Sequence, residues 1–203
     1  MKGSYDFDQK RTTLFSGGRP KPTRAMPMSL HPAMRHDVPE LASFHSFVNR
    51  DLARRSGKDR WSSPTVKGLL FAMRSATIFL TRRRGSIIAA FALSRRKPWA
   101  IDKSFFAPSS NPLYLTGMAV HPLHQRKGIG RLCIEQARSI ALRWPGDAIR
   151  LDAYDNQTGA GEFYRKCGFT EVGRARYREI PLIYFEMLLA PEPKGPAVRR
   201  AQK

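Results

Sequence analysis

The sequence LYLTGMAVHPLHQRKGIGR, from Leu113 to Arg131, carries the clearest structural signal in the chain. Apolar side chains recur through its first half in a partly alternating pattern, at Leu113, Leu115, Met118 and Val120. Such a pattern predicts a mostly buried strand. Because proline has no N–H group for further pairing, we expect this strand to end near His121 and Pro122.

The second half of this stretch is a glycine-rich loop that opens a helix. Gly128 and Gly130 stand at the start of a predicted helix. Its apolar residues fall on one helical face, at Ile129, Leu132, Cys133, Ala137 and Ile140. Glycines at a helix start let backbone N–H groups approach a ligand, and the helix N-terminus favours negative charge. The loop therefore predicts a binding site for a pyrophosphate.

A second informative stretch follows about thirty residues later, as NQTGAGEFYRKCGF from Asn156 to Phe169. Asn156, Ala160 and Tyr164 are spaced by four, so from the cap onward they are predicted to lie along one helical face. Asn156 is a candidate to cap this helix, to hydrogen-bond a cofactor, or to do both. Gly168 is expected to end the helix and lead into the next strand.

The two stretches together resemble the GNAT acetyltransferase family. Its acetyl-CoA-binding loop has the form Gln/Arg-x-x-Gly-x-Gly/Ala after a strand that ends in Val-x-Pro, and its second motif is Asn-x-x-x-Ala-x-x-x-Tyr followed by Gly-Phe. Both motifs occur here in the family's order, and the resemblance covers residues 26–189. It implies an α/β (α+β) fold with a mixed six- to seven-stranded sheet, split around the cofactor and flanked by about four helices.

The resemblance also implies which residues bind acetyl-CoA as co-substrate. The backbone N–H groups of residues 126–131 would hold the pyrophosphate, and the edge of the central strand would pair with the pantetheine arm and polarise the thioester carbonyl. The residues assigned in this way are Met118, Ala119, Val120, Gln125, Arg126, Lys127, Gly128, Ile129, Gly130, Arg131 and Asn156. No metal is expected, because the sequence lacks clusters of cysteine and histidine with metal-ligand spacing.

Tyr164 occupies the family's position for the general acid. A phenol with an ordinary pKa near 10 stays protonated at neutral pH and is well matched to a thiolate leaving group. The general base is open, because the central strand has Thr116, Gly117 and Met118 where many relatives have a carboxylate. The candidates are Asp152, Asp155, His121, His124 and a chain of water molecules.

Length and composition predict one domain with flanking tails. The chain has 203 residues, of which 41% are hydrophobic. We expect a flexible basic tail over residues 1–25, a folded domain over 26–190 and a second basic tail over 191–203. No apolar run is long enough to cross a membrane, and the N-terminus lacks the apolar middle of a signal peptide. Together with the expectation that Cys133 and Cys167 are reduced, this favours a cytoplasmic protein.

The charge is strongly positive, with 36 Lys and Arg against 16 Asp and Glu and a formal net charge of +20. Such an excess favours anionic partners, including nucleic acid or the ribosome. The leading functional hypothesis is acetyl transfer to the primary amine of a small molecule or peptide. The alternatives are a macromolecular amine, such as a ribosomal protein terminus or an aminoacyl-tRNA, and a non-catalytic acyl-CoA-binding regulatory module. The oligomeric state stays open, with a dimer among the options.

The remaining pattern predicts two helices and a hairpin before the central strand. One helix is expected to be capped by Asp37, and a second to run from Pro64 to Arg74 after a Ser62-Ser63 cap. A hairpin over 76–94 is expected to turn through Arg82 to Gly85, with the arginines either solvated or forming a recognition site. Residues 95–111 form a long loop, interpreted as a lid over the acceptor pocket or as a covering loop.

Overall fold

A computed structural model of the protein describes residues 29–56, 63–156 and 160–189. The tails predicted for residues 1–25 and 191–203 lie outside these ranges. The described helices are α1 Val38–Ser56, α2 Val66–Ala72, α3 Ile129–Arg143 and α4 Gly161–Lys166. The strands are β1 His31–Pro32, β2 Ala76–Arg83, β3 Ser86–Ser94, β4 Pro112–Val120, β5 Ala148–Tyr154, β6 Thr170–Tyr177 and β7 Ile180–Leu188.

These strands form one mixed sheet in the order β1-β2-β3-β4-β5-β7-β6. Strands β4 and β5 are parallel, and the other neighbouring pairs are antiparallel. Helices α3 and α4 pack on one face, where they bury residues such as Leu113, Ile149 and Phe185. Helices α1 and α2 pack on the other face, over β2 and β3. The prediction of a mixed six- to seven-stranded sheet with about four helices is confirmed.

A bulge in β4 explains why its apolar residues alternate only in part. Leu115 and Met118 pack on the same side of the sheet although they are three positions apart, a spacing that puts side chains of a regular strand on opposite sides. The register between β3 and β4 shifts in this stretch, and Gly117 has a φ of +59°. A positive φ suits glycine, and one inserted residue reverses the direction of each later side chain.

Residues 95–111 cover the second half of the sheet, on the same face as α1 and α2. Ile101 and Phe106 are buried against Tyr114 and Tyr184, and the Tyr184 hydroxyl donates to the Ala100 carbonyl across 2.6 Å. Of the two interpretations of this segment, the packing supports the covering loop.

The start of α1 differs from the prediction that Asp37 is its cap. A short 3₁₀ helix, Arg35–Asp37, precedes α1 and has Met34 at its N-cap. The Asp37 carboxylate reaches back to accept the Met34 N–H across 2.7 Å, because Asp37 already has helical backbone geometry. Helix α2 begins at Val66, two residues after the predicted start at Pro64. Its N-cap is Thr65, whose side chain accepts the Gly68 N–H across 3.0 Å.

The β2–β3 hairpin turns through two residues, Arg84 and Gly85, both with positive φ. This turn is two residues shorter than the predicted turn from Arg82 to Gly85, so Arg82 lies within β2. The Arg82 guanidinium binds the carboxylates of Asp37 and Glu40 at 2.7 and 2.5 Å. The prediction of a solvated turn is therefore wrong for Arg82, which ties the hairpin to the start of α1.

Candidate functional site

Strands β4 and β5 separate after a short paired segment. Pairing joins Pro112–Tyr114 to residues 148–150, and the described residues show no further β4–β5 pairing toward Val120 and Tyr154. We call the opening between residues 115–120 of β4 and 151–154 of β5 the strand gap. It lies in the middle of the sheet, at the carboxyl ends of two parallel strands, where open sheets commonly bind ligands.

The backbone of β4 is aligned along the strand gap. The His121 N–H donates to the Ile88 carbonyl across 2.8 Å, and Ala119 pairs with Ala90, so these residues face β3. Strand alternation then turns the N–H and C=O groups of Met118 and Val120 toward the gap. Of the three β4 residues assigned to the cofactor, Ala119 is thus the one whose backbone faces away.

Gln125 fixes the end of β4 relative to the glycine-rich loop. Its side-chain amide donates to the Val120 carbonyl across 2.9 Å. This bond occupies one of the β4 acceptors at the strand gap, and it sets the direction in which the chain enters the loop. In the described structure Gln125 therefore orders the loop through the backbone of β4.

The glycine-rich loop forms the N-terminus of α3 as predicted. Gly128 is the N-cap with a φ of +80°, and Arg126 has a φ of +57°. Successive left-handed and helical residues point their N–H groups into a common concavity, and the first-turn N–H groups of a helix have no acceptor within it. This cradle of residues 126–131 fits a pyrophosphate.

Cationic side chains surround the cradle. Lys127 Nζ donates to the Leu123 carbonyl across 2.9 Å, which folds its ammonium group back over the loop. Arg131 pairs with Glu135 one helical turn later, at 3.2 Å, and both side chains are more than half exposed. An exposed pair of this kind is weak and leaves the guanidinium able to bind a phosphate instead.

Helix α4 packs closely against the start of α3. A Cβ on Gly130 would lie 3.1 Å from the Phe163 ring and 3.8 Å from the Met118 methyl group. Glycine at this position therefore allows α3, α4 and β4 to meet beside the strand gap. The contact joins the two predicted motifs in space.

Tyr164 lies in the core between α4 and the sheet. The side chain is 7% exposed and touches Phe169 and Phe185, and its hydroxyl has no hydrogen-bond partner among the described residues. Burial, followed by the nearby charge of Asp152, raises the pKa of the Tyr164 phenol above its ordinary value. The hydroxyl therefore holds its proton at neutral pH and can donate it.

Asn156 lies just after β5, and its N–H donates to the Tyr154 carbonyl across 3.2 Å. Helix α4 begins at Gly161 with Ala160 at its N-cap, so the helical face predicted from Asn156 onward is shorter than expected. Residues 157–159 between them lie outside the described ranges.

Two of the four candidate base residues already have hydrogen-bond or ion-pair partners. Asp155 is paired with Arg174 at 2.8 Å, and His121 accepts the Leu123 N–H through Nδ1 at 3.2 Å. His124 stacks edge-on against His121, and burial lowers its pKa. Asp155 and His121 are therefore engaged elsewhere, whereas His124 Nδ1 is buried without a hydrogen-bond partner among the described residues and stays a candidate base.

Asp152 is the fourth candidate and lies on β5 beside the strand gap. Burial raises the pKa of its carboxyl group above the ordinary value, because the low-dielectric surroundings penalise the charge. No arginine or lysine among the described residues forms a salt bridge with it. In Tyr154, Tyr164 and Tyr184 burial is the main cause of a raised pKa, and the charge of Asp152 raises each pKa further.

His45 was missed by the sequence analysis. It lies on α1, is 7% exposed, and its Cε1 atom is 3.9 Å from the position that a Gly117 Cβ would take. The available signal was its place on the apolar face, four residues after Leu41 and three before Val48, both of which are buried. Only the packing of α1 over β4 shows that this face reaches the strand gap.

The described ranges contain neither a metal-ligand cluster nor a helix suited to a membrane. Residues 29–56, 63–156 and 160–189 contain no group of three or more histidine, cysteine, aspartate or glutamate side chains placed to hold a metal ion. No helix in the same ranges has the length and hydropathy needed to cross a membrane.

Comparison with known proteins gives a family match over much of the chain. The model of the acetyltransferase (GNAT) family matches residues 45–169, a range that contains the glycine-rich loop, the strand gap and Tyr164. A segment of 60 residues is 35% identical to glucosamine 6-phosphate N-acetyltransferase from Schizosaccharomyces pombe. This segment is 30% of the chain and spans about half, 51%, of that curated relative.

Solved structures share the fold at low sequence identity. The ribosomal-protein-S18-alanine N-acetyltransferase from Escherichia coli superposes with a TM-score of 0.60 at 15% identity, covering 82% of this chain and 97% of that one. The structure of yncA from Salmonella typhimurium with its cofactor acetyl-CoA has a TM-score of 0.57 at 16% identity, covering 84% and 98%.

Proposed function

Because the chain belongs to the acetyltransferase (GNAT) family, we propose that it transfers an acetyl group from acetyl-CoA to a primary amine of a small molecule or peptide. The observation that carries this proposal is the strand gap, with the α3 N-terminal cradle at one end and Tyr164 beside it. Two relatives, glucosamine 6-phosphate N-acetyltransferase and the ribosomal-protein-S18-alanine N-acetyltransferase, support an amine as the acceptor.

In this proposal acetyl-CoA supplies the activated acetyl group and leaves as the free thiol. The backbone N–H groups of residues 126–131 bind the pyrophosphate, with Arg126, Lys127 and Arg131 adding positive charge. The backbone of Met118 and Val120 pairs with the pantetheine arm along the strand gap. An N–H group on this edge polarises the thioester carbonyl, because a fixed donor stabilises negative charge that develops on oxygen.

Tyr164 is the general acid. Its raised pKa keeps the hydroxyl protonated at neutral pH, so it can give a proton to the departing thiolate. The rings of Phe163, Phe169 and Phe185 pack around the phenol. They fix its orientation relative to β5.

Asp152 is the general base. The amine nitrogen forms the new bond to the acetyl carbon, and the carbon–sulfur bond breaks. One proton from the nitrogen goes to Asp152, and one from Tyr164 goes to sulfur. Asp152 then releases its proton and Tyr164 takes one up, which returns both residues to their starting states. The raised pKa of Asp152 makes it a better proton acceptor than an ordinary aspartate.

Two measurements test the proposal. Calorimetry is expected to detect acetyl-CoA binding, and an absence of binding contradicts the proposal. A thiol-release assay with polyamines, amino acids, aminoglycosides and basic peptides is expected to give turnover with one class. Binding without turnover for every amine would favour the non-catalytic regulatory module instead.

A macromolecular amine is the second candidate acceptor, and the net charge of +20 favours it. Aminoacylated RNA and ribosomal protein peptides therefore belong in the same assay panel. A macromolecular acceptor that binds through phosphates predicts an affinity that falls steeply with salt, because released counterions drive such binding. A small amine predicts a KM with weak salt dependence.

A further inference from the structure

His45 lies where α1 crosses the bulge of the central strand. Gly117, its neighbour on β4, is exposed although β4 is a central strand of the sheet. The imidazole Cε1 atom lies 3.9 Å from the Gly117 Cβ position, so the ring packs directly beside this opening. Farther along α1, Phe47 stacks on His121 at 4.9 Å and closes the end of β4.

The His45 side chain is largely buried, at 7% exposed. Its ring packs edge-on against Phe44 at 5.4 Å, and the described residues provide no hydrogen bond to it. The ring nitrogens therefore have hydrogen-bonding capacity that the described residues do not use. Burial also lowers the pKa of His45 to about 4, which leaves the ring neutral at physiological pH with one nitrogen free to accept a hydrogen bond.

His45 and Asp152 lie on the same face of the sheet. The paired residues Ala90 and Ala119 pack beneath α1, and Ser94 pairs with Tyr114 on this same face. Tyr114 in turn pairs with Arg150, two residues before Asp152. Side chains two residues apart on a strand share a face. The strand gap is therefore flanked on one face by His45 from the α1 side and Asp152 from the β5 side.

We propose that His45 is a positioning residue for the acceptor amine. In this role, which rests on the proposed function, its unprotonated nitrogen accepts a hydrogen bond from an acceptor N–H and holds the amine beside Gly117. The amine gives one proton to Asp152 and directs its lone pair toward the acetyl carbon. A primary amine suits this arrangement, because it retains an N–H group for His45 after losing a proton.

The test uses the amine that gives the highest thiol release with the wild-type chain. In H45L, which fills the space with an apolar side chain, we expect the acceptor KM to rise at least tenfold while the acetyl-CoA Kd stays within about twofold. In H45Q, which keeps an acceptor atom, we expect part of that loss to be recovered. H36Q removes an exposed imidazole and serves as the matched control. An unchanged KM in H45L overturns the proposal.

A second readout does not depend on catalysis. Because H45L places an apolar side chain in a largely buried position where the described residues give the imidazole no hydrogen bond, we expect its Tm to equal or exceed that of the wild-type chain. In the wild-type chain saturated with CoA, the NMR signals of the His45 ring are expected to shift when the same amine is added. Unshifted ring signals overturn the proposal even if H45L fails to fold.

Failure of the proposed function has a different signature. If the wild-type chain binds acetyl-CoA but releases no thiol with any amine or aminoacylated RNA, the transferase proposal fails and the role of His45 fails with it. If the wild-type chain is active and H45L matches it, only the role of His45 fails.

Discussion

Arg150 and Glu186 form a buried ion pair beneath the covering loop of residues 95–111. Arg150 Nε lies 2.8 Å from Glu186 Oε1, and both side chains are 5% exposed. The Arg150 guanidinium also donates to the Ala107 carbonyl across 2.5 Å and lies 4.9 Å from the centre of the Phe106 ring. The loop is therefore fastened to β5 and β7 by the charges that it shields from water.

Removal of one partner from this pair is expected to destabilise the fold strongly. Arg150→Met leaves the Glu186 carboxylate buried without its counter-charge, which costs about 3–5 kcal/mol. Urea denaturation measures this free energy of unfolding. The control is Arg174→Met, which breaks exposed pairs and is expected to cost less than about 1 kcal/mol.

The double variant Arg150→Met/Glu186→Leu separates burial of charge from loss of packing. Because an apolar pair needs no counter-charge, we expect it to recover most of the lost stability. A cost for Arg150→Met no larger than that of Arg174→Met would contradict an anchoring role for the pair.

Arg82 is predicted to hold the hairpin against the start of α1. It binds Asp37, whose side chain is 6% exposed, and Glu40, whose Oε1 also accepts the Ile87 N–H across 3.0 Å. Arg82→Met is expected to cost about 2–3 kcal/mol, a value reduced from that of a fully buried pair because Arg82 is partly solvated. Thermal unfolding of Arg82→Met and Arg83→Met, compared side by side, checks this.

The pH dependence of the same network has a defined sign. The Met34 N–H, and then the Arg82 side chain, lower the pKa of Asp37 below its ordinary value. The stability that Asp37 provides is therefore complete above the ordinary carboxyl pKa of about 4 and is lost as the pH falls further. An Asp37→Asn variant that lost as much stability as the wild-type chain over that acid range would contradict this assignment.

Local patterns predicted the elements that depend on neighbouring residues. The apolar pattern from Leu113 to Val120 predicted β4, and Gly128 predicted the start of α3. Both signals lie within a few residues, because they depend on the alternation of apolar side chains and on a positive φ. The Asp37 cap was wrong because nothing in the local pattern separates a 3₁₀ turn from the first turn of an α-helix.

Features that depend on distant parts of the chain could not be predicted from such patterns. The expectation that the sheet splits came from family resemblance, since no residue in β4 or β5 encodes their separation. The position of His45 beside Gly117 depends on how α1 packs over β4, which no local pattern predicts. The alternating pattern of residues 148–153 predicts a half-buried strand but does not distinguish Asp152 from Asp155 as a base. That choice required the pair of Asp155 with Arg174.

Tyr164→Phe is expected to slow turnover strongly without changing cofactor binding. Removal of a general acid costs about 10²- to 10⁴-fold in rate. Phenylalanine preserves the contacts with Phe169 and Phe185, so the fold is expected to persist. Thiol release and acetyl-CoA calorimetry measure the two effects, with Tyr177→Phe as the control. Full activity in Tyr164→Phe would remove the tyrosine from the mechanism.

Gly128→Ala is expected to weaken acetyl-CoA binding about tenfold. Gly128 has a φ of +80°, and alanine in this region is strained by about 1–2 kcal/mol, which distorts the N–H cradle. Gly85 has a φ of +84° in the hairpin, and a Cβ at either glycine meets no atom within 4 Å. Gly85→Ala therefore reproduces the strain away from the site. Calorimetry that showed equal affinity for both variants would contradict the cradle.

The lowered pKa of His45 predicts how stability changes in mild acid. Because the native ring has a pKa of about 4 and an ordinary histidine has one near 6.5, the unfolded chain binds more protons between these values. Stability from the neutral ring is thus complete above about pH 6.5 and falls by about 3 kcal/mol as the pH drops to 4. H45L lacks this loss, so its advantage over the wild-type chain in urea denaturation should grow by that amount from pH 7.5 to 4. His124, whose pKa is also lowered, is present in both proteins and cancels. A constant difference across this range would show that the ring is not held neutral in the native state.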